Sequence, residues 1–130
     1  MLSTVAEAAR VSTSDPAVLS LAWRAAAEAG KASIGVYHLI PFKVVRASRE
    51  GHVGFLWDLD LVLGESSCKK SAMDYLDFGR IKRCGLARAA RYSRCQFRVW
   101  ERSWIPEPDY RRIFAIQACR PASQQDAIKT

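Results

Sequence analysis

The chain reads as an α+β domain: N-terminal helices, an antiparallel β-meander, a basic helix and a C-terminal β-hairpin. Three observations predict this. A capped, alanine-rich segment near the start has helical spacing, residues 33–63 are rich in β-branched and aromatic side chains, and two alternating segments near the end flank a loop with two prolines.

In chain order, a first short helix is expected over 3–10. The next has Asp15 as N-cap and Pro16 at the first helical position, then "AVLSLAWRAAAEAG" ending at Gly30. Val18, Leu21, Trp23 and Ala25 or Ala26 form its apolar side. The meander follows as "SIGVYHLI", "FKVVRAS" and "HVGFLWDLDLVL", broken at Pro41 and at "REG" over 49–51. After "GESS", Ser66 or Ser67 is expected to cap a helix over "CKKSAMDYLDF", closed by Gly79. "IKRCGLARAARY" reads as a second helix despite Gly85. "CQFRVWERSW" and "YRRIFAIQAC" read as strands joined by "IPEPD", whose prolines oppose further pairing. A single domain over 1–121 and a flexible polar tail over 122–130 complete the expectation.

At 130 residues, 49% apolar and 25% charged, the composition is that of one globular domain. No run approaches the ~18–20 apolar residues of a membrane span. The start lacks a basic region followed by a long apolar one, so a cytoplasmic chain is expected, or a nuclear one in a eukaryotic host. Reduced thiols at Cys68, Cys84, Cys95 and Cys119 go with that compartment; in an oxidising one the four would pair.

The charge is concentrated. Residues 79–102 hold seven arginines, one lysine and one acid, Glu101, while the remaining twelve cations and twelve acids cancel. The whole net charge of +7 therefore comes from this segment, and a localised basic field favours anionic partners. On a helix, Arg80, Arg83, Arg88, Arg91 and Arg94 fall within roughly 140° of arc, opposite Ile81, Leu86, Ala89 and Tyr92. Arg98 and Arg102 continue the charge into the next strand, where Trp100 and Trp104 share a face. Arginines beside aromatic rings suit single-stranded nucleic acid, the guanidinium groups on phosphates and the rings on bases. The expected function is thus non-enzymatic nucleic-acid binding, RNA being favoured over DNA. Arg80, Lys82, Arg83, Arg88, Arg91, Arg94, Arg98 and Arg102 would contact phosphates, with Trp100 and Trp104 as stacking platforms.

The order Gly79-Arg80, Arg88-Ala89 and Arg94-Cys95, followed by Arg98-Val99-Trp100, resembles the arginine-rich core of the small nucleic-acid-binding proteins of carlaviruses and vitiviruses. The likeness covers residues 79–95, with Gly85, Leu86 and Ala87 interrupting the arginine block and no second cysteine just after Cys95. It implies a viral accessory protein that binds RNA or DNA.

Other chemistries have residues to examine. Asp58 and Asp60 in "WDLDLVL" project from one strand face, as the magnesium-holding pair of a nucleotidyltransferase does, although no Gly-Ser turn precedes them. The plain alternative is a half-exposed strand with Leu59, Leu61 and Leu63 inward. The element order is similar to that of GNAT-type acetyltransferases, with "KRCGLA" as the turn for a CoA-like pyrophosphate. A third class is an interaction protein whose basic face meets an acidic protein. The cysteine gaps of 16, 11 and 24 positions lack zinc-site spacing, although Cys84, Cys95 and Cys119 with a histidine remain an open combination. His38 and His52 have no evident catalytic partner. No cofactor, catalytic residue or metal ligand is assigned, and enzymatic activity and oligomeric state stay open.

Overall fold

The computed structural model describes residues 8–51 and 53–125. It is an α+β fold in which one helix crosses a five-stranded antiparallel sheet. The elements are β1 (Ala9–Arg10), α1 (Pro16–Ala32), β2 (Tyr37–Gly51), β3 (Phe55–Lys69), a single 3-10 turn (Lys70–Ala72), α2 (Phe78–Ile81), β4 (Tyr92–Glu101), α3 (Pro108–Arg111) and β5 (Arg112–Ala122). The strands lie in chain order, so β1 and β5 are the edges.

Helix α1 begins as its sequence predicts. The Asp15 carboxylate accepts from the Ala17 N–H at 2.8 Å, capping a free amide of the first turn, and Pro16 occupies a position that needs no N–H. Val18, Leu21, Ala22, Ala25, Ala26 and Ala29 are buried, a stripe at helical spacing that faces the sheet. Alanines let the axis lie close to the strands. Gly30 does the same at the end of the stripe, since a Cβ there would stand 3.3 Å from the Leu39 backbone nitrogen. The helix runs past Gly30 to Ala32 rather than ending at the glycine. The earlier helix expected over 3–10 falls partly outside the described residues, and its last two residues form β1.

The meander is two long strands, not three short ones. β2 passes through Pro41 by shifting register between Pro41 and Lys43, the irregularity that lets a residue without an N–H sit in a ladder. "REG" belongs to the end of β2, and the chain reverses between β2 and β3. β3 continues through "GESS", because Gly64 to Ser66 still pair or pack as strand. A Cβ at Gly64 would meet the end of the Leu86 side chain at 2.6 Å, so glycine there makes room for the chain passing over it. The helix expected over 68–78 is therefore absent. Asp77, not Ser66 or Ser67, caps a helix, and that helix has four residues with Gly79 inside it.

Trp57, Leu59, Leu61 and Leu63 of β3 alternate inward with Cys95, Phe97 and Val99 of β4, and Ala47 of β2 joins them beneath α1. Asp58 and Asp60 face the other way, as the plain strand reading has it. β4 and β5 overlap the expected strands, but β4 starts earlier, at Tyr92, and stops at Glu101, which leaves Trp104 in the joining loop that carries α3.

Two disulfides cross-link the fold. Cys95–Cys119 joins directly opposed residues of β4 and β5, and Cys68–Cys84 ties the end of β3 to the segment after α2. The expectation of reduced thiols in a cytoplasmic chain is corrected by these pairs, which belong to oxidising surroundings. A zinc site at Cys84, Cys95 and Cys119 is excluded by the same bonds.

Phe97 is the largest fully buried side chain. Phe97→Ala is expected to lower the unfolding free energy by about 3–5 kcal/mol, measured by urea denaturation followed by far-UV circular dichroism.

Candidate functional site

The predicted basic helix does not form. After Ile81 the chain becomes an irregular strap laid along the far end of β3, with Leu86 opposite Ser66. Ser67 N–H donates to Gly85 O at 2.9 Å, Ala87 N–H to Glu65 O at 2.9 Å, and Glu65 N–H to Arg91 O at 3.1 Å. These bonds and the Cys84 bridge draw the backbone out of helical geometry, so Arg80, Arg83, Arg88 and Arg91 do not form one helical row.

The remaining cations of the segment have separate roles. Arg94 grips Asp60 through two bonds, Nε to Oδ1 at 3.0 Å and Nη2 to Oδ2 at 2.8 Å. Arg98 holds Asp58 in the same bidentate way at 2.9 and 3.3 Å. Donating to these carboxylates raises both guanidinium pKa values above the ordinary arginine value. Lys82 lies over the Trp23 ring. Arg102 stacks over Trp100 and donates to Tyr110 O inside the β4–β5 loop.

This arrangement also removes the catalytic readings. Asp58 and Asp60 are each neutralised by an arginine, and among the described residues no cluster of His, Cys, Asp or Glu could hold a metal ion. The hollow beside them, lined by Arg46, Ser48, Asp58, Asp60 and Gln96, is about 260 Å³, small for a ligand pocket. "KRCGLA" lies in the strap and opens no helix, and the sheet is an antiparallel meander, so neither feature builds an acetyltransferase phosphate turn. His38 is buried with Nε2 2.8 Å from Met73 O, a structural role. His52 lies outside the described residues.

The two tryptophans mark a different site. At one end of the sheet the β2–β3 turn and the β4–β5 loop lie side by side. The Trp100 indole N–H donates to Val53 O at 3.0 Å, fastening one tip to the other. The Trp100 and Trp104 rings meet edge to face with centroids 6.1 Å apart, so Trp104 leans on a fixed neighbour. Gly54 has φ +96°, and a Cβ there would lie 2.2 Å from Glu101 O and 3.3 Å from the Trp104 ring. Only glycine allows so close a crossing. Val53, before it, has φ +20°, a sparsely populated value for a β-branched residue.

Glu101 braces the base of this end. Its Oε1 accepts from the Trp57 indole at 3.1 Å and its Oε2 from Arg112 Nε at 3.2 Å. Arg111 holds the loop by donating to the carbonyls of Ile105 and Pro106. On this braced base Val53 is 73% exposed and Trp104 52% exposed. The result is an exposed apolar ridge made by two joined turns. It has no nucleophile–base pair among its described residues.

The sequence held signals for this end that the reading passed over. Gly51 and Gly54 flank a short stretch between two alternating runs, the mark of a hairpin turn. The even number of cysteines allowed pairing.

No protein-family model matches the chain, and no curated protein is similar to it in sequence. Solved structures are similar in fold. Al-CPI superimposes with a TM-score of 0.71 at 21% identity, covering 89% of this chain and 99% of its own. Dimeric human cystatin F gives 0.69 at 18% identity, covering 92% and 89%. The salivary cystatin of the soft tick Ornithodoros moubata gives 0.65 at 16% identity, covering 91% and 98%. The shared fold is thus that of cystatins, an antiparallel sheet wrapped on one helix. It overturns the resemblance to carlavirus and vitivirus proteins and, with the dispersed arginines, the reading as a nucleic-acid-binding protein with RNA, DNA or acidic-protein partners. The cytoplasmic assignment falls with it.

Gly54→Ala is expected to destabilise the protein by about 1–3 kcal/mol. It should also shift the tryptophan fluorescence as Trp104 is displaced; denaturation and emission spectra check both.

Proposed function

We propose that this protein inhibits cysteine proteases by seating the ridge formed by Val53, Gly54 and Trp104 in the protease cleft. The observation that carries the reading is the Trp100–Val53 hydrogen bond, which holds two exposed tips together at one end of a cystatin fold. A protease cleft receives an extended chain with a peptide bond presented to its nucleophile. The ridge offers turns instead: Val53 and Gly54 have positive φ, so the segment cannot lie extended in the cleft without breaking its own geometry. It therefore fills the cleft and resists cleavage.

Affinity is expected to come chiefly from Trp104, a partly exposed aromatic backed by a second ring and able to bury its face on binding. Preorganisation adds to this, because the tip bond, the Glu101 brace and the Arg111 clamp fix the loops before the encounter and reduce the ordering cost. β1 runs alongside, Ala9 opposite Arg49, and so brings Ala8 level with Glu50 near the same end. The disulfides support an oxidising compartment as the place of action.

The test is a titration of a papain-like cysteine protease with the intact protein, with a serine protease as control. Reversible inhibition of the cysteine enzyme alone is expected, with the inhibitor recovered uncut. Trp104→Ala should raise the inhibition constant by about two orders of magnitude, as loss of an aromatic hot spot does. Absence of inhibition at high inhibitor concentration, or inhibition indifferent to Trp104, overturns the reading.

A further inference from the structure

We propose that the strap between α2 and β4 is a docking surface for a sulfated polysaccharide of the heparin class. It lies at the end of the molecule away from the hairpin tips. Arg83, Arg88 and Arg91 are exposed on it, and among the described residues none of the three forms an ion pair. Exposed Arg80 and Lys82 flank them, and Lys69, also exposed, adjoins the disulfide that anchors the strap. The nearby acids face inward to backbone amides: Glu65 Oε1 accepts from Arg91 N–H at 2.8 Å, and Asp77 Oδ1 from Arg80 N–H at 3.3 Å. Asp77 also stands 3.8 Å from Arg80 Nη1, which leaves Arg83, Arg88 and Arg91 as the free cations.

The surface is ordered. The strap is fastened to β3 by three backbone hydrogen bonds at Glu65 and Ser67, and by Cys68–Cys84. Its cations are carried on a fixed backbone, so less conformational freedom is lost on binding than for a basic tail. Guanidinium forks donate in pairs to the oxygens of sulfate as they do to phosphate.

Two observations favour a polysaccharide over a nucleic acid. A base needs an aromatic platform beside the cations, and Trp100 and Trp104 are committed to the tips, separated from the strap by roughly 35 Å of strand at ordinary rise. The disulfides also favour an oxidising compartment, where RNA is scarce and sulfated sugars are a common linear polyanion. That same separation leaves the ridge accessible while the strap is occupied.

Heparin-affinity chromatography and anisotropy titration with a labelled heparin oligosaccharide at about 150 mM salt test the proposal on the intact, oxidised protein. The triple variant Arg83→Ala, Arg88→Ala, Arg91→Ala is compared with Arg10→Ala, Arg46→Ala, Arg49→Ala, which loses the same charge toward the other end of the sheet. The strap variant should bind at least about tenfold more weakly, with a salt slope shallower by roughly one per contact removed; the control should keep most of its affinity. Circular dichroism checks folding, and if the triple variant unfolds, Arg88→Ala alone is read by its salt slope. The proposal is overturned if the native protein does not bind, if both triple variants lose affinity equally, or if Arg88→Ala leaves the slope unchanged. It is equally overturned if single-stranded RNA or phosphatidylserine vesicles bind as tightly as heparin. Protease inhibition is not a readout, so this outcome is independent of the proposed function.

Discussion

The register between β3 and β4 is the constraint on which the rest of this molecule depends. With Leu59 opposite Phe97, the inward rows of both strands meet beneath α1. A slip of one residue would turn every side chain of β3 over, bringing Asp58 and Asp60 against the helix and the leucines into water. The outer face is matched to the same alignment. Asp58 faces Arg98 directly, and Asp60 reaches Arg94 diagonally. The exposed member of these pairs contributes little to stability by itself. Its larger effect is selectivity, because only one register brings both carboxylates to both guanidinium groups.

That alignment also determines what happens at the two ends of the sheet. At one end it sets Phe55 across from Glu101, so the turn after β2 and the loop after β4 arrive together and Trp100 can reach Val53. At the other it leaves Glu65 to Ser67 of β3 beyond the start of β4, and the strap fills that place. Ridge and strap are thus opposite consequences of a long β3 paired with a shorter β4.

Much of the architecture was legible because it is local. Asp15-Pro16 and the alanine stripe specify α1, and the alternation of "WDLDLVL" and "CQFRVWE" specifies the inward rows. What was not legible depends on distant partners. Pro41 reads as a break but is carried through by a bulge that a neighbouring strand imposes. The arginine segment has helical spacing and good helix formers, yet hydrogen bonds to β3 and the reach of Cys84 to Cys68 override that propensity. The disulfide connectivity needs the fold, because four cysteines allow three pairings. At the candidate site Trp100 and Trp104 read as two rings on one strand face, set for stacking on bases; the rings do meet, but Trp104 lies in the loop after β4. Their partner Val53 stands 47 positions away from Trp100, a separation that no periodicity records.

Strand β5 closes the sheet with one side unpaired and with Ile113 and Ile116 exposed. Such an edge invites a second copy to add itself and then a third, the beginning of a fibril. Here the sequence of the edge works against that growth. A copy laid antiparallel with Ile116 against Ile116 brings Arg112 opposite Arg120 at both ends of the seam, and Pro121 supplies no N–H to extend it. Like charges in facing positions and a missing donor act as a guard on the edge, opposing the open-ended addition of further copies.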